Sequence, residues 1–234
     1  MEEQKIAIKE KTMPEHLKKY GPLGAEDIIP DEIRLEYIKL GQFSSYAVID
    51  RFVEMGQFYT SMDNEELGDT IEIIPIRKTV VWKKFEKNKL AATSEDGKYW
   101  ATGQEYSGKR LTEEESFRCK RIQFIVRVVG KSTPYILSFS GNSFKAGKTL
   151  ADLVDKKILS NKEPIFSSAY KLKPRKESAN KNTYYVITIA GTRYTTEEES
   201  KQANETYQLV SQTKIKEEDV PERDDIYEEI PDLE

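Results

Sequence analysis

The segment IEIIPIRKTVVWKKF, residues 71–85, constrains the fold most. It is β-branched and aromatic, which suits a pleated, half-buried surface. Pro75 interrupts it and predicts a bulge or bend. RCKRIQFIVRVVG (118–130) alternates more strictly. Ile122, Phe124, Val126 and Val128 fall on one face; Arg121, Gln123, Ile125 and Arg127 fall on the other. PYILSFSG (134–141) is expected to pair with it across the GKST connection. IFSSAYKLKPRK (165–176) sets Lys171, Lys173 and Arg175 against Tyr170 and Leu172, with NTYYVITIAG (182–191) as its antiparallel partner. Shorter strand segments near 89–93 and 98–102 flank an SEDG turn.

One long helix interrupts these strands, over roughly 143–159. Gly147, Leu150, Ala151, Val154 and Ile158 form its apolar stripe. Strands with a single inserted helix and no βαβ alternation predict a mainly β fold. The expected form is an OB-like small antiparallel barrel with an inserted helix, a C-terminal helix and a disordered acidic tail. An immunoglobulin-like sandwich is the rival, but it does not normally hold a helix of that length in mid-sheet. Thr195 or Thr196 with Glu198 or Glu199 makes a capping box. It opens a final helix that runs to about Gln212, with Ala203, Tyr207 and Val210 at helical spacing. The expected divisions are an N-terminal arm and extension (1–67), the OB-like domain (68–192), the C-terminal helix (193–212) and the tail (213–234). Within the arm, Pro14 to Tyr20 suits a short helix, and Ser44 or Ser45 suits the cap of another running to Met55, stopped by Gly56.

Charge is segregated along the chain. From Glu217 to Glu234 it reads EEDVPERDDIYEEIPDLE, with ten acids against Arg223 alone, or −9. The whole chain carries −4, so residues 1–216 carry +5, from 36 Lys+Arg against 31 Asp+Glu. Such a tail lacks the apolar surface to fold alone. Tethered beside a cationic body, it imitates a nucleic acid and competes for the same groove. Ile226, Tyr227, Ile230 and Leu233 punctuate the acids, which suits an apolar pocket rimmed by bases on a partner.

Much chemistry is disfavoured. The single cysteine, Cys119, excludes an internal disulfide and fits a reducing compartment. No apolar run reaches the ~18 residues of a membrane span, and the N-terminus has no secretory h-region. A cytoplasmic protein is expected, in the host cytoplasm if the protein is viral. His16, the one histidine, lies in the arm, so neither a histidine-based nucleophilic site nor a Cys/His metal site is expected. GNSFKAGKT (141–149) follows a strand and opens a helix, but five residues separate Gly141 from Gly147 where a phosphate-wrapping loop needs four. The EEES runs (113–116 and 197–200) suit solvated faces or helix first turns. Asp69 and Glu72 are weak candidates for strand-borne metal ligands. The expectation is no enzyme, no cofactor and no metal.

What remains is cation interleaved with aromatic on strands. Trp82 and Phe85 lie among Lys83 and Lys84, and Tyr99 and Trp100 follow Lys98. Arg121, Arg127, Lys171, Lys173, Arg175 and Tyr185 complete the candidate nucleic-acid surface. Aromatic faces stack on bases and cations track the backbone of a single strand. Read singly, Phe124, Phe139, one of Tyr184 and Tyr185, and either tryptophan suit a core equally well.

The tail, the segments GDTIEIIPIRKTVVWKKF and RIQFIVRVVG, and the block YILSFSGNSFKAGKTL together resemble bacteriophage replication-type single-stranded-DNA-binding proteins. Those couple one OB-fold to an acidic C-terminal tail. The resemblance spans about 68–234 and is architectural. It implies sequence-independent protection of single-stranded DNA in replication and recombination. It also implies tail contacts with polymerase or helicase through Asp224, Asp225, Tyr227, Glu228, Glu229, Ile230, Asp232 and Leu233. Many such tails end in a bulky aromatic, whereas this one ends Pro-Asp-Leu-Glu. DNA against RNA, and a homodimer, stay open. The alternatives are a protein-interaction or DNA-mimic inhibitor module and, less favoured, a metal-dependent nucleic-acid enzyme.

Overall fold

The computed structural model describes residues 34–86, 89–102, 105–179, 182–212 and 216–217. Along the chain these form β1 (Arg34–Leu35), β2 (Tyr37–Leu40), α1 (Tyr46–Ile49), β3 (Phe58–Thr60), β4 (Glu66–Gly68), β5 (Ile71–Glu86), β6 (Lys89–Ser94), β7 (Tyr99–Thr102), β8 (Glu105–Arg110), α2 (Glu113–Cys119), β9 (Lys120–Val128), β10 (Pro134–Phe139), α3 (Phe144–Asn161), β11 (Ser168–Ala179), β12 (Asn182–Tyr194), α4 (Glu197–Gln212) and β13 (Lys216–Glu217). The helix expected at 14–20 and the acidic tail, with its eight candidate residues, lie outside the described residues.

Strand β5 organises the sheet because it serves three neighbours in turn. Its first residues, Ile71 to Ile73, pair with β11. Ile73 to Trp82 pair with β9, and Trp82 to Glu86 with β6. The register slips between Pro75 and Arg77, where the sequence predicts a bulge. The main path runs β4-β3-β2-β10-β9-β5-β6-β7-β8, and β11 and β12 branch from β5 to complete an 11-stranded sheet.

The sheet curls until β2 and β12 meet through a side chain. Gln42, two residues past β2, donates its Nε2 to the Tyr185 carbonyl of β12 at 2.7 Å. In return the Tyr185 backbone N–H donates to Gln42 Oε1 at 2.9 Å. The amide thus occupies the place of a strand residue. Inside the curl, Ile38, Phe58, Ile73, Phe124, Leu137, Tyr170, Leu172 and Ile187 share one core with Leu150 and Val154 of α3. On the outer face, Leu35, Tyr37, Ile74, Ile76, Ile125 and Ile136 pack with Ala203 and Val210 of α4.

The inner helix approaches closely because of a glycine. A Cβ added at Gly147 would lie 2.4 Å from Phe139 Cβ. The glycine of the GKT triplet therefore serves the packing of α3 on β10. Helix α4 starts with the capping box expected from the sequence. Glu199 N donates to Thr196 Oγ1 at 3.2 Å, and Thr196 N to Glu199 Oε2 at 2.8 Å. Arg193 fastens this helix to the sheet. Its guanidinium reaches both Glu199 oxygens at 2.7 Å, and its Nε donates to Glu72 at 3.0 Å. Glu199 is held down at about 2, first by that hydrogen bond from Arg193.

The mainly β expectation holds. Two details change. The sheet is mixed and larger than a small antiparallel barrel, since β2 joins β10 in parallel. The extra strands come from residues 37–68, nearly all within the expected N-terminal arm and extension; Ile38, Leu40 and Phe58 are buried in the inner core. The helix expected to reach Met55 stops after one turn at Ile49, and Arg51 takes a positive φ of 62°. Among the described residues no helix is long and apolar enough to cross a membrane.

Candidate nucleic-acid interface

Residues opposite one another in a sheet share a face. The register therefore assembles an outer-face cluster from four strands. Thr79 of β5 faces Gln123 of β9, which faces Ser138 of β10. Val81 faces Arg121, and Arg77 faces Ile125. On β2, Ile38 pairs with Leu137, so Lys39 falls beside Ser138. Lys39, Arg77, Lys83 and Arg121 thus share one side of the sheet.

Two of these cations are sunk into the surface. Lys83 is 7% exposed and Arg121 8%. Lys83 Nζ donates to the Tyr37 hydroxyl at 3.1 Å and lies 5.6 Å from that ring's centre. The Arg121 guanidinium sits 5.2 Å from the centre of the Phe85 ring and donates to Ser140 Oγ at 3.4 Å. Next to Arg121 along this face of β9 lies Gln123, 3% exposed, whose Nε2 finds no hydrogen-bond partner among the described residues. The buried Ser138 Oγ beside it finds none either. An unmet buried amide costs about 1–3 kcal/mol, so such groups need a reason. Cations, aromatic rings and unmet polar groups on one face together suit a ligand with phosphate oxygens and flat rings.

The other sequence candidates divide. Trp82 and Lys84 point to the opposite face, under α2. The Trp82 indole N–H donates to the Ser116 carbonyl at 3.0 Å, and its ring covers Gly97, where an added Cβ would come within 2.7 Å. Lys84 pairs with Glu115 at 3.3 Å. Trp100 is 2% exposed and belongs to the interior, beside Glu115 of α2. Its place in the stacking surface is corrected accordingly. Arg127 is corrected too. It is buried against α4, donating to Gln202 Oε1 at 2.9 Å, Thr206 Oγ1 at 3.1 Å and the carbonyls of Lys131 and Ser132. Burial lowers its pKa. Tyr185 is half-buried over Gly56. Tyr99 is 41% exposed, on β7 beyond the cluster.

Lys171, Lys173 and Arg175 share the outer face of β11, as their alternation predicts, and Arg175 binds Glu177. They do not join Lys83 and Arg121. Lys171 pairs beside Glu72, and Lys83 stands about 35 Å of strand further along β5. Tyr37, Lys39, Arg77, Gln123, Ser138 and Ser140 escaped the sequence search. The alternation of Tyr37 and Lys39 in YIKL was the available signal for the first two, and the shared face of Arg121 and Gln123 for the third.

Cys119, next to β9, is half-buried, and its thiol pKa is raised first by that burial. Glu72, a weak metal-ligand candidate, is engaged by Arg193.

Comparison with curated proteins finds no match. A family model described as Pam3 phage gp34-like protein matches residues 3–216, nearly the whole chain. The chain therefore belongs to the Pam3 phage gp34-like protein family.

Proposed function

We propose that this phage-family protein binds single-stranded DNA without sequence preference on the outer face of β5, β9 and β10. It would protect such strands in replication or recombination, with the acidic tail gating affinity and recruiting replication proteins such as polymerase or helicase. The observation that carries this reading is the outer-face row of Lys83, Arg121 and the unmet Gln123 amide. Its position adds support. With the inserted β6–β8 and α2 set aside, the order β5-β9-β10-α3-β11-β12 resembles the strand-strand-strand-helix-strand-strand order of an OB-fold. In that fold the second and third strands, flanked by the loops after the first and fourth, hold oligonucleotides. Here β9 and β10 stand second and third. The β6–β8 excursion follows β5. Phe85 replaces Trp100 as the ring nearest the cations.

Fluorescence anisotropy of labelled oligo-dT at several salt concentrations tests the reading. Each phosphate contact on a single strand adds about 0.7 to the log–log salt slope. Arg121→Ala and Lys83→Ala should each weaken binding and lower the slope by about that amount. Because both side chains are buried, thermal melts must show each variant folded. Truncation after Glu217 should tighten binding at low salt. Parallel titration with oligo-rU separates DNA from RNA. Folded variants with unaltered affinity, or a wild-type protein that binds neither oligomer, refute the assignment.

A further inference from the structure

The excursion between β2 and β3 exposes large apolar side chains at every third position. Phe43 is 72% exposed, Tyr46 60%, Ile49 62%, Phe52 57% and Met55 47%. The excursion is a built structure. Its ends are tied by Gly41 N to the Gln57 carbonyl and Gly56 N to the Gly41 carbonyl, both 2.8 Å. A Cβ at Gly41 would strike the Glu54 carbonyl at 2.6 Å, so the crossing admits only glycine. Ala47, Val53 and Tyr59 form a small core beneath it. Phe52 N and Val53 N both donate to the Ala47 carbonyl, which folds the chain back over α1. Ala47 and Val53 turn inward, while the five large side chains of the same short excursion stay exposed.

Taking ~200 Å² for each large side chain, the exposed apolar area is about 600 Å², the top of the range for a monomer's largest patch. Two copies covering one another would bury about 1,200 Å², where specific stable interfaces begin. The charges choose among occupants. Residues 41–57 hold Asp50, Arg51 and Glu54, a net −1. That lacks the cations that attract a nucleic acid or an anionic lipid surface, and it repels the chain's own acidic tail. A second copy is matched through its apolar side chains and one complementary pair rather than through net charge, since two-fold pairing can set Arg51 of one copy near Glu54 of the other.

We propose that the protein is a homodimer joined through Phe43, Tyr46, Ile49, Phe52 and Met55. The proposal does not rest on the nucleic-acid reading. Light scattering after gel filtration of the full chain, without nucleic acid, tests it. The expected mass is twice 27.0 kDa, falling to 27.0 kDa in Ile49→Glu/Phe52→Glu with an unchanged circular dichroism spectrum and melt. Should that pair unfold the loop, Phe43→Ser supplies the same test at the most exposed position. A wild-type protein of single mass up to high micromolar concentration overturns the proposal. So does a folded variant that keeps the doubled mass. Loss of oligo-dT affinity in a variant whose parent is already a monomer gives the patch to nucleic acid and likewise overturns it.

Discussion

Replacing Gly147 by alanine sets two magnitudes against each other. In an exposed helix the change would stabilise by about 1 kcal/mol, since glycine is the poorer helix former. Here the new methyl would stand 2.4 Å from Phe139 Cβ and 2.6 Å from its Cγ. Those atoms are rooted in β10 and cannot swing aside as the tip of a lysine can. Relief requires α3 to lift by about 1 Å, and a gap of that size forfeits a quarter to a half of each dispersion contact. The loss falls on Leu150, Ala151 and Val154, which are packed in the inner core. Overpacking of this kind costs about 1–3 kcal/mol. The steric term outweighs the propensity gain over most of that range, with a net loss of up to about 2 kcal/mol. Urea unfolding followed by far-ultraviolet circular dichroism should show the midpoint fall, by up to roughly 1 M for a slope near 2 kcal/mol/M. An unchanged or raised midpoint would refute the argument from close approach and reopen a loop role for the glycine.

The Arg193–Glu199 pair gives an acid-dependent prediction. The folded pKa of Glu199, about 2, lies below its ordinary value, so its contribution is present above about pH 4.5 and is lost as pH falls through about 2. Screening at the partly exposed Arg193 reduces the contribution to about 1–2 kcal/mol. Glu199→Gln keeps the capping amide but should flatten that part of the stability–pH curve, as chemical denaturation at several pH values would reveal; a parallel curve counts against the pair. Gln42→Ala removes both hydrogen bonds to Tyr185 and should cost about 1–3 kcal/mol. Hydrogen exchange at the Tyr185 amide should accelerate, and unchanged protection there would dismiss the side-chain closure.

Period carried most of the legible structure. In β9 every side chain from Arg121 to Val128 is buried, yet the apolar ones still alternate, because the two faces meet different layers. The stripe of α3 and the cap of α4 were legible for the same reason: each rests on spacing within one element. Residues 37–68 were not. Their sheet strands are three or four residues long, too short to establish a period, and β2 joins the sheet beside a strand nearly a hundred residues later. The candidate site failed along one line. Alternation tells which face a side chain takes, and Lys171, Lys173 and Arg175 followed it. It does not tell whether another layer covers that face. Trp100 is buried beside Glu115 of α2 and Arg127 under α4, so two residues that suited a ligand are occupied by the protein itself.

The glutamine clasp makes the wall of this protein unevenly tolerant. A ladder of peptide groups accepts nearly any residue, because the bonds belong to the backbone that all residues share. At the join between β2 and β12 the bonds belong to one side chain, which must offer a donor and an acceptor together and span the full gap. Asparagine has the groups without the reach, and glutamate has the reach without the donor. The hydrogen bonding across this seam is thereby entrusted to a single codon, and drift that leaves every strand intact can still weaken it.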